Sequence, residues 1–291
     1  MATVGEWIEG ARPRTLPAAL SPVLAGSAVA WFEGGFRPGH ALLAFVVALA
    51  LQIGVNFAND YSDGIRGTDE DRVGPMRLVG SGAARPAQVK AAAFACFGLA
   101  AVAGLVLVLL TGHWWLVGVG LACIIAAWYY TGGEHPYGYA GLGEVFVFIF
   151  FGLVAVCGTT YVQLDRVPWW ALAAAVAIGA IACQILVANN LRDIVGDSQV
   201  GKRTLATRLG DAGTRRFFAL LTVVVVVCVV VMAALTSWWV LLGLVTLVLL
   251  LPATRTVLGG ATGRPLIAVL KQTGLAELLC AVGLFVGCLL A

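Results

Sequence analysis

Asn56-Phe-Ala-Asn59-Asp60-Tyr-Ser-Asp63-Gly-Ile-Arg66-Gly-Thr-Asp69 and Asn189-Asn190-Leu-Arg192-Asp193-Ile-Val-Gly-Asp197 decide how this chain is read. Each stretch lies where a long apolar run ends. In each, oxygen-bearing groups stand four residues apart, Asn59 with Asp63 and Asp193 with Asp197. On a helix that spacing puts both groups on one face. Each stretch leads into a glycine-bearing basic loop, Gly74-Pro-Met-Arg77 or Gly201-Lys202-Arg203-Thr204. A further helix then starts, at Arg85-Pro86 and at Asp211-Ala-Gly213.

The surroundings are those of a membrane protein. Of 291 residues, 60% are hydrophobic and 11% charged, whereas soluble domains carry roughly 25% charged residues. The mean hydropathy of +0.95 points the same way. Nine apolar segments can be drawn, at roughly 15–32, 40–59, 88–111, 114–131, 141–163, 168–190, 214–235, 237–254 and 272–290, each near bilayer-spanning length. The expected fold is all-α: nine transmembrane helices around a central cavity. The N-terminus shows no cleavable signal pattern. Seven cysteines are scattered through apolar segments without a CxxC pair, which fits packing rather than metal binding.

Charge sets the orientation. With the N-terminus in the cytoplasm, only Arg37 and Arg166 of the 18 basic residues fall in outer loops. That bias fits the positive-inside rule and leaves the C-terminus outside. It also places both acidic stretches and both basic loops on the cytoplasmic face, which a single site requires and hydropathy does not. The repeated order of helix, Asn/Asp cluster, basic loop and helix reads as a degenerate pseudo-repeat within one domain, 1–291. Helices 2–3, around 40–111, match helices 6–7, around 168–235.

Magnesium prefers oxygen ligands and is usually held by one or two carboxylates plus substrate phosphates. Asn59 and Asp63 suit one ion, Asp193 and Asp197 another, with Asp69 in reach if the helix unwinds after Gly64 and Gly67. Basic side chains stabilise charge developing on a departing phosphate, and Arg66, Arg77, Lys202 and Arg203 are the candidates. Asp63, Asp193, Asp197 and Lys202 are expected to carry the catalysis. A third constellation runs from Tyr129 to Glu144, with Tyr130, Thr131, Tyr137 and Tyr139 and no Lys or Arg. It suits a small polar aromatic molecule, and Tyr130, Tyr139, Glu144 and Asn190 are the candidate acceptor contacts. A diphosphate held beside Leu-, Val- and Phe-rich helices suggests an isoprenoid diphosphate, with its tail in the apolar cavity. No nucleic-acid partner is expected.

At this point the sequence resembles the UbiA-type intramembrane prenyltransferases. Asn59-Asp60-x-x-Asp63 and Asp193-x-x-x-Asp197 match their two signatures. The third acid of the first signature is displaced, since residue 67 is Gly and the acid comes at Asp69. That variant is similar to the branch acting on 1,4-dihydroxy-2-naphthoate. So are Arg12-Pro-Arg14-Thr-Leu-Pro17, Tyr130-Thr-Gly-Gly133, Gly141-Leu-Gly-Glu144 and Gly201-Lys202-x-Thr204. The resemblance implies two Mg2+ ions on Asn59, Asp63, Asp193 and Asp197, in a multi-pass protein of the cell membrane. It implies transfer of a polyprenyl group from its diphosphate to the naphthoate ring, with loss of CO2, giving demethylmenaquinone. Other acceptors stay open: 4-hydroxybenzoate, homogentisate, a haem vinyl group or a phosphoribosyl sugar. A transporter with repeated halves and intramembrane aspartates is the reading from a different class.

Overall fold

The structure, a computed structural model, describes residues 2–67, 76–199 and 201–291. Among them every regular element is helical. A short helix, α1 (Val4–Gly10), is capped by Thr3, whose side chain accepts from the Glu6 N–H while Glu6 reaches back to the Thr3 N–H. A 3-10 turn at Pro13–Thr15 leads into α2 (Pro17–Phe32), bent by 46° from the segment before it. Then follow α3 (Pro38–Ile65), α4 (Pro86–Thr111) and α5 (Leu116–Tyr129). α6 (Gly143–Val147) continues through a π-helical stretch, Phe148–Cys157, into α7 (Gly158–Leu164). The chain closes with α8 (Ala171–Gln199), α9 (Leu205–Leu235), α10 (Leu247–Leu258) after a 3-10 segment at Trp238–Thr246, and α11 (Arg264–Leu289).

Seven of these stretches are long and apolar enough to cross a membrane, and eight if the bent α1–α2 pair is one span. Nine were expected from hydropathy. α5 makes the difference: its 14 residues rise about 21 Å, short of the roughly 30 Å hydrocarbon core.

Two helix ends lie further along the chain than hydropathy places them. The second apolar run was expected to stop at 59 and the sixth at 190. α3 instead continues to Ile65 and α8 to Gln199. A hydropathy window ends where charge begins, but the backbone ladder does not, because polar side chains at the membrane edge find partners. The acidic clusters therefore ride on intact final turns, and the four-residue spacing does put each pair on one helix face.

α8 is the central post. Of its apolar stretch 72% is buried, against 33% for α3 and for α4. Lipid tails are as apolar as leucine, so helix contact here depends on close packing and polar links rather than escape from water. Small residues supply the close approach: a Cβ on Gly152 would lie 2.8 Å from the Cα of Gly179 on α8. Polar links do the rest. Gln184 of α8 donates to the Phe218 carbonyl at 2.9 Å and to Thr222 Oγ1 at 2.7 Å on α9. Gln163 of α7 donates to Ser27 of α2 at 3.2 Å and accepts from the Arg37 N–H that opens α3. A smaller apolar cluster of Phe57, Leu78, Val89 and Phe97 docks the described end of the loop after α3 against α3 and α4.

Candidate active site

The final turn of α3 is anchored by its own motif. Asp60 is 1% exposed and accepts the backbone N–H groups of Leu78 at 2.7 Å and Val79 at 3.0 Å. Its carboxylate thus folds the returning loop onto the helix and aims Arg77 inward. Arg77, 9% exposed, contacts Asp63 at 3.4 Å. One turn earlier, Asn59 accepts from the Thr131 hydroxyl at 2.7 Å.

The second cluster is held by cations instead. At the end of α8, Arg192 holds both oxygens of Asp193, at 2.7 and 2.6 Å, and donates to Asn189 at 2.9 Å. Lys202 stands 3.8 Å from Asp197. Thr204 then caps α9 through the Thr207 N–H, so the chain turns sharply and keeps Lys202 beside the helix it has just left.

Tyr139 joins the two clusters. Its hydroxyl donates to Asp63 at 2.6 Å, while Lys202 Nζ lies 4.4 Å from its ring centroid. One phenol ring and one ammonium therefore span the gap between Asp63 and Asp197, residues 134 apart in sequence. The loop carrying Tyr139 is fixed from several sides. The Tyr139 carbonyl accepts the Arg203 N–H at 3.0 Å, Arg208 donates to Ala140, and Tyr137 donates to the Ala126 carbonyl and stacks on Phe146.

Both clusters border one cavity of about 2060 Å³. Asn59, Asp63, Arg77, Tyr130, Tyr139, Asn190, Asp193, Asp197 and Lys202 all line it. Its remaining walls are largely apolar, including Val47, Leu51, Val108, Phe150 and Val154. Burial pushes the phenol of Tyr137 above the ordinary tyrosine range, and its hydroxyl donates to the Ala126 carbonyl.

Three candidate residues sit outside the lining. Arg66 is exposed, donates to the carbonyls of Thr131 and Gly133, and lies over the Tyr139 ring. The structure thus commits it to holding the aromatic loop rather than to the cavity. Arg203 is exposed and contributes its backbone N–H to that same loop. Glu144 lies behind the wall at 4% exposure, where it accepts from Asn190 Nδ2 at 2.9 Å and fixes that amide. Asp69 falls outside the described residues.

The cavity also receives Arg12 and Arg14, read in the sequence as part of a branch motif, and Arg264 and Lys271, read there only as orienting charges. They come from the turn before α2 and from the start of α11. The signal for Arg12 was its place before Pro13, where the chain takes a left-handed conformation with φ 54°. Nothing in a local pattern tells that α11 returns to this mouth.

Asn59, Asp63, Asp193 and Asp197 are all hard oxygen donors and suit a hard divalent cation. Among the described residues no three His, Cys, Asp or Glu side chains gather as a ready-made cage. The donor set fits an ion that takes one or two carboxylates and completes its shell with phosphate oxygens and water.

Residues 19–270 match the profile of the UbiA prenyltransferase family. The chain belongs to that family. It is 55% identical over 282 residues to the 1,4-dihydroxy-2-naphthoate octaprenyltransferase of Mycobacterium tuberculosis, covering 97% of this chain and 96% of that one. It is 42% identical to the Escherichia coli enzyme of the same name, over 73% of this chain and 71% of that one. Among solved structures, the apo UbiA homolog from Aeropyrum pernix superposes with a TM-score of 0.72 at 14% identity, over 94% of this chain and 97% of that one. The Archaeoglobus fulgidus homolog bound to GPP and Mg2+ gives 0.65 at 14% identity, over 97% and 99%. At such identity the last two show a shared fold.

Proposed function

We propose that this UbiA prenyltransferase moves a polyprenyl group from polyprenyl diphosphate to 1,4-dihydroxy-2-naphthoate. One observation carries the reading: two acidic helix ends, joined through Tyr139, border a single cavity whose other walls are largely apolar. The naming of relatives that are 55% and 42% identical over the matched stretches supports the naphthoate as acceptor.

Asn59 and Asp63, with Asp193 and Asp197, are the residues that would hold Mg2+; Asp69 is a further candidate. When bound, magnesium supplies positive charge that stabilises the departing diphosphate. Arg77 and Lys202 line the same space and bind diphosphate oxygens, and their charges oppose the build-up of negative charge on the leaving group. Tyr139 keeps Asp63 oriented and stacks against Lys202. Apolar walls exclude water from the prenyl carbon, so the allylic cation meets a ring carbon rather than a water molecule. The carbon–oxygen bond breaks with its electron pair leaving on diphosphate. A ring carbon forms the new carbon–carbon bond, and the carboxylate on that carbon departs as CO2, returning its pair to the ring. The product is the quinol form of demethylmenaquinone, and no base is needed. Tyr130 and Asn190, the latter fixed by Glu144, hold the naphthoate ring.

The same reading makes the chain one domain with helices 2–3 and 6–7 as a pseudo-repeat. It takes α5 as a ninth span, shortened and tilted, in a plasma-membrane protein with its site on the cytoplasmic side and its C-terminus outside.

Purified protein in lipid, given polyprenyl diphosphate and each acceptor in turn, tests the assignment. Lipid-soluble product is expected with the naphthoate, dependent on Mg2+ and stopped by EDTA. Preference for 4-hydroxybenzoate or homogentisate, or transport of substrate without release of diphosphate, would overturn it.

A further inference from the structure

In the described structure the carboxylates proposed as magnesium ligands are covered by cations of their own motifs. Asp63 meets Arg77 at 3.4 Å, and Asp197 meets Lys202 at 3.8 Å. The pair at Asp193 differs in kind. Arg192 is the residue immediately before it in sequence, and neighbours on a helix do not face one another. Its side chain nevertheless folds back to hold both Asp193 oxygens, at 2.7 and 2.6 Å, with Asn189 Oδ1 steadying the guanidinium at 2.9 Å. That side chain is only 5% exposed, and it lines the cavity.

We propose that Arg192 is a positioning residue that occupies the metal face of Asp193 until a metal–diphosphate pair displaces it. The inference rests on the proposed function and deepens it. A two-pronged guanidinium on both oxygens of a carboxylate is a strong, shaped contact. A divalent ion arriving alone must break that contact and leaves a buried guanidinium with the Asn189 amide but no carboxylate. A divalent ion arriving with diphosphate breaks the same contact but offers the released guanidinium two phosphate oxygens, which match its geometry as well as the carboxylate did. Metal and diphosphate therefore strengthen each other's binding through one side chain, and by linkage the effect is reciprocal. The consequence is a cavity that does not hold stray divalent ions and assembles its metal centre only around the donor substrate.

The test is binding, not turnover. Mn2+ is titrated into the purified full chain and free Mn2+ is followed by paramagnetic resonance, alone and with inorganic diphosphate. Removing the guanidinium in Arg192→Gln is expected to tighten Mn2+ alone by about tenfold and to weaken diphosphate at saturating Mn2+ by about tenfold. Arg192→Lys keeps the charge but not the two-pronged hold, so Mn2+ alone still tightens. Lys271→Gln removes a cavity-lining charge that has no carboxylate partner among the described residues, and changes Mn2+ binding by less than about twofold. Opposite signs for the two ligands separate this role from a structural one, since a misfolded variant loses both. Wild-type affinity for Mn2+ alone in both Arg192 variants, with diphosphate-dependent binding intact, overturns the proposal while sparing the prenyl-transfer reading. Failure of wild-type protein to bind Mn2+ even with diphosphate overturns both.

Discussion

The Tyr139 hydroxyl donates a 2.6 Å hydrogen bond to Asp63, and the other side of the site, through Lys202, rests on the same tyrosine ring. A residue from the loop between α5 and α6 thus fixes the relative position of two helix ends that belong to different halves of the chain. Tyr139→Phe keeps the ring and removes the bond. A hydrogen bond to a charged group contributes about 1.5–3 kcal/mol, so kcat/KM is expected to fall roughly tenfold to a hundredfold with the protein still folded. Steady-state kinetics varying the prenyl diphosphate check this; unchanged kinetics would show that Asp63 needs no such partner.

Asp63→Ala and Asp193→Ala each remove an oxygen donor proposed for the metal centre. Turnover is expected to drop by at least about a hundredfold while the protein remains in the membrane fraction. The measurement is product formation per mole of detergent-extracted protein. Activity near that of the unaltered chain in either variant would remove that residue from the centre.

Asp60 has a different job from its neighbour Asp63. It satisfies two backbone N–H groups, those of Leu78 and Val79, in a buried setting. Asp60→Ala strands both donors, at a cost of about 1–3 kcal/mol for each. Amide exchange at 76–80 is expected to quicken, and activity to fall indirectly as Arg77 loses its footing. Unchanged exchange there would show that another contact holds the loop.

Gly152→Leu tests the packing. The added side chain would start 2.8 Å from the Gly179 Cα and force the π-helical segment away from α8. Overpacking of this sort costs about 1–3 kcal/mol or more. The apparent Tm in detergent is expected to fall by several degrees, and an unchanged Tm would place the two helices further apart than described.

Much of this arrangement was legible in the residues, for a physical reason. Hydropathy is set by the bilayer, so helix existence follows from composition and spacing. The i, i+4 clusters Asn59/Asp63 and Asp193/Asp197 follow from helix geometry. What was not legible depends on contacts distant in sequence. Arg66 and Arg77 look equivalent as loop arginines, yet one is taken by the carbonyls of Thr131 and Gly133 and the other reaches the cavity. Glu144 reads as a site residue because it is an acid beside a span; it stands one layer back, on Asn190. At α3 and α8 the helix runs on past the end of the apolar segment, and the charged turns stay within it.

Anomalous diffraction from crystals soaked with Mn2+ and an unreactive prenyl thiodiphosphate tests the central relationship most directly. The expected result is two metal peaks, one against Asn59 and Asp63 and one against Asp193 and Asp197, with a single diphosphate between them. Metal at one cluster alone, or diphosphate bound away from both, would contradict it.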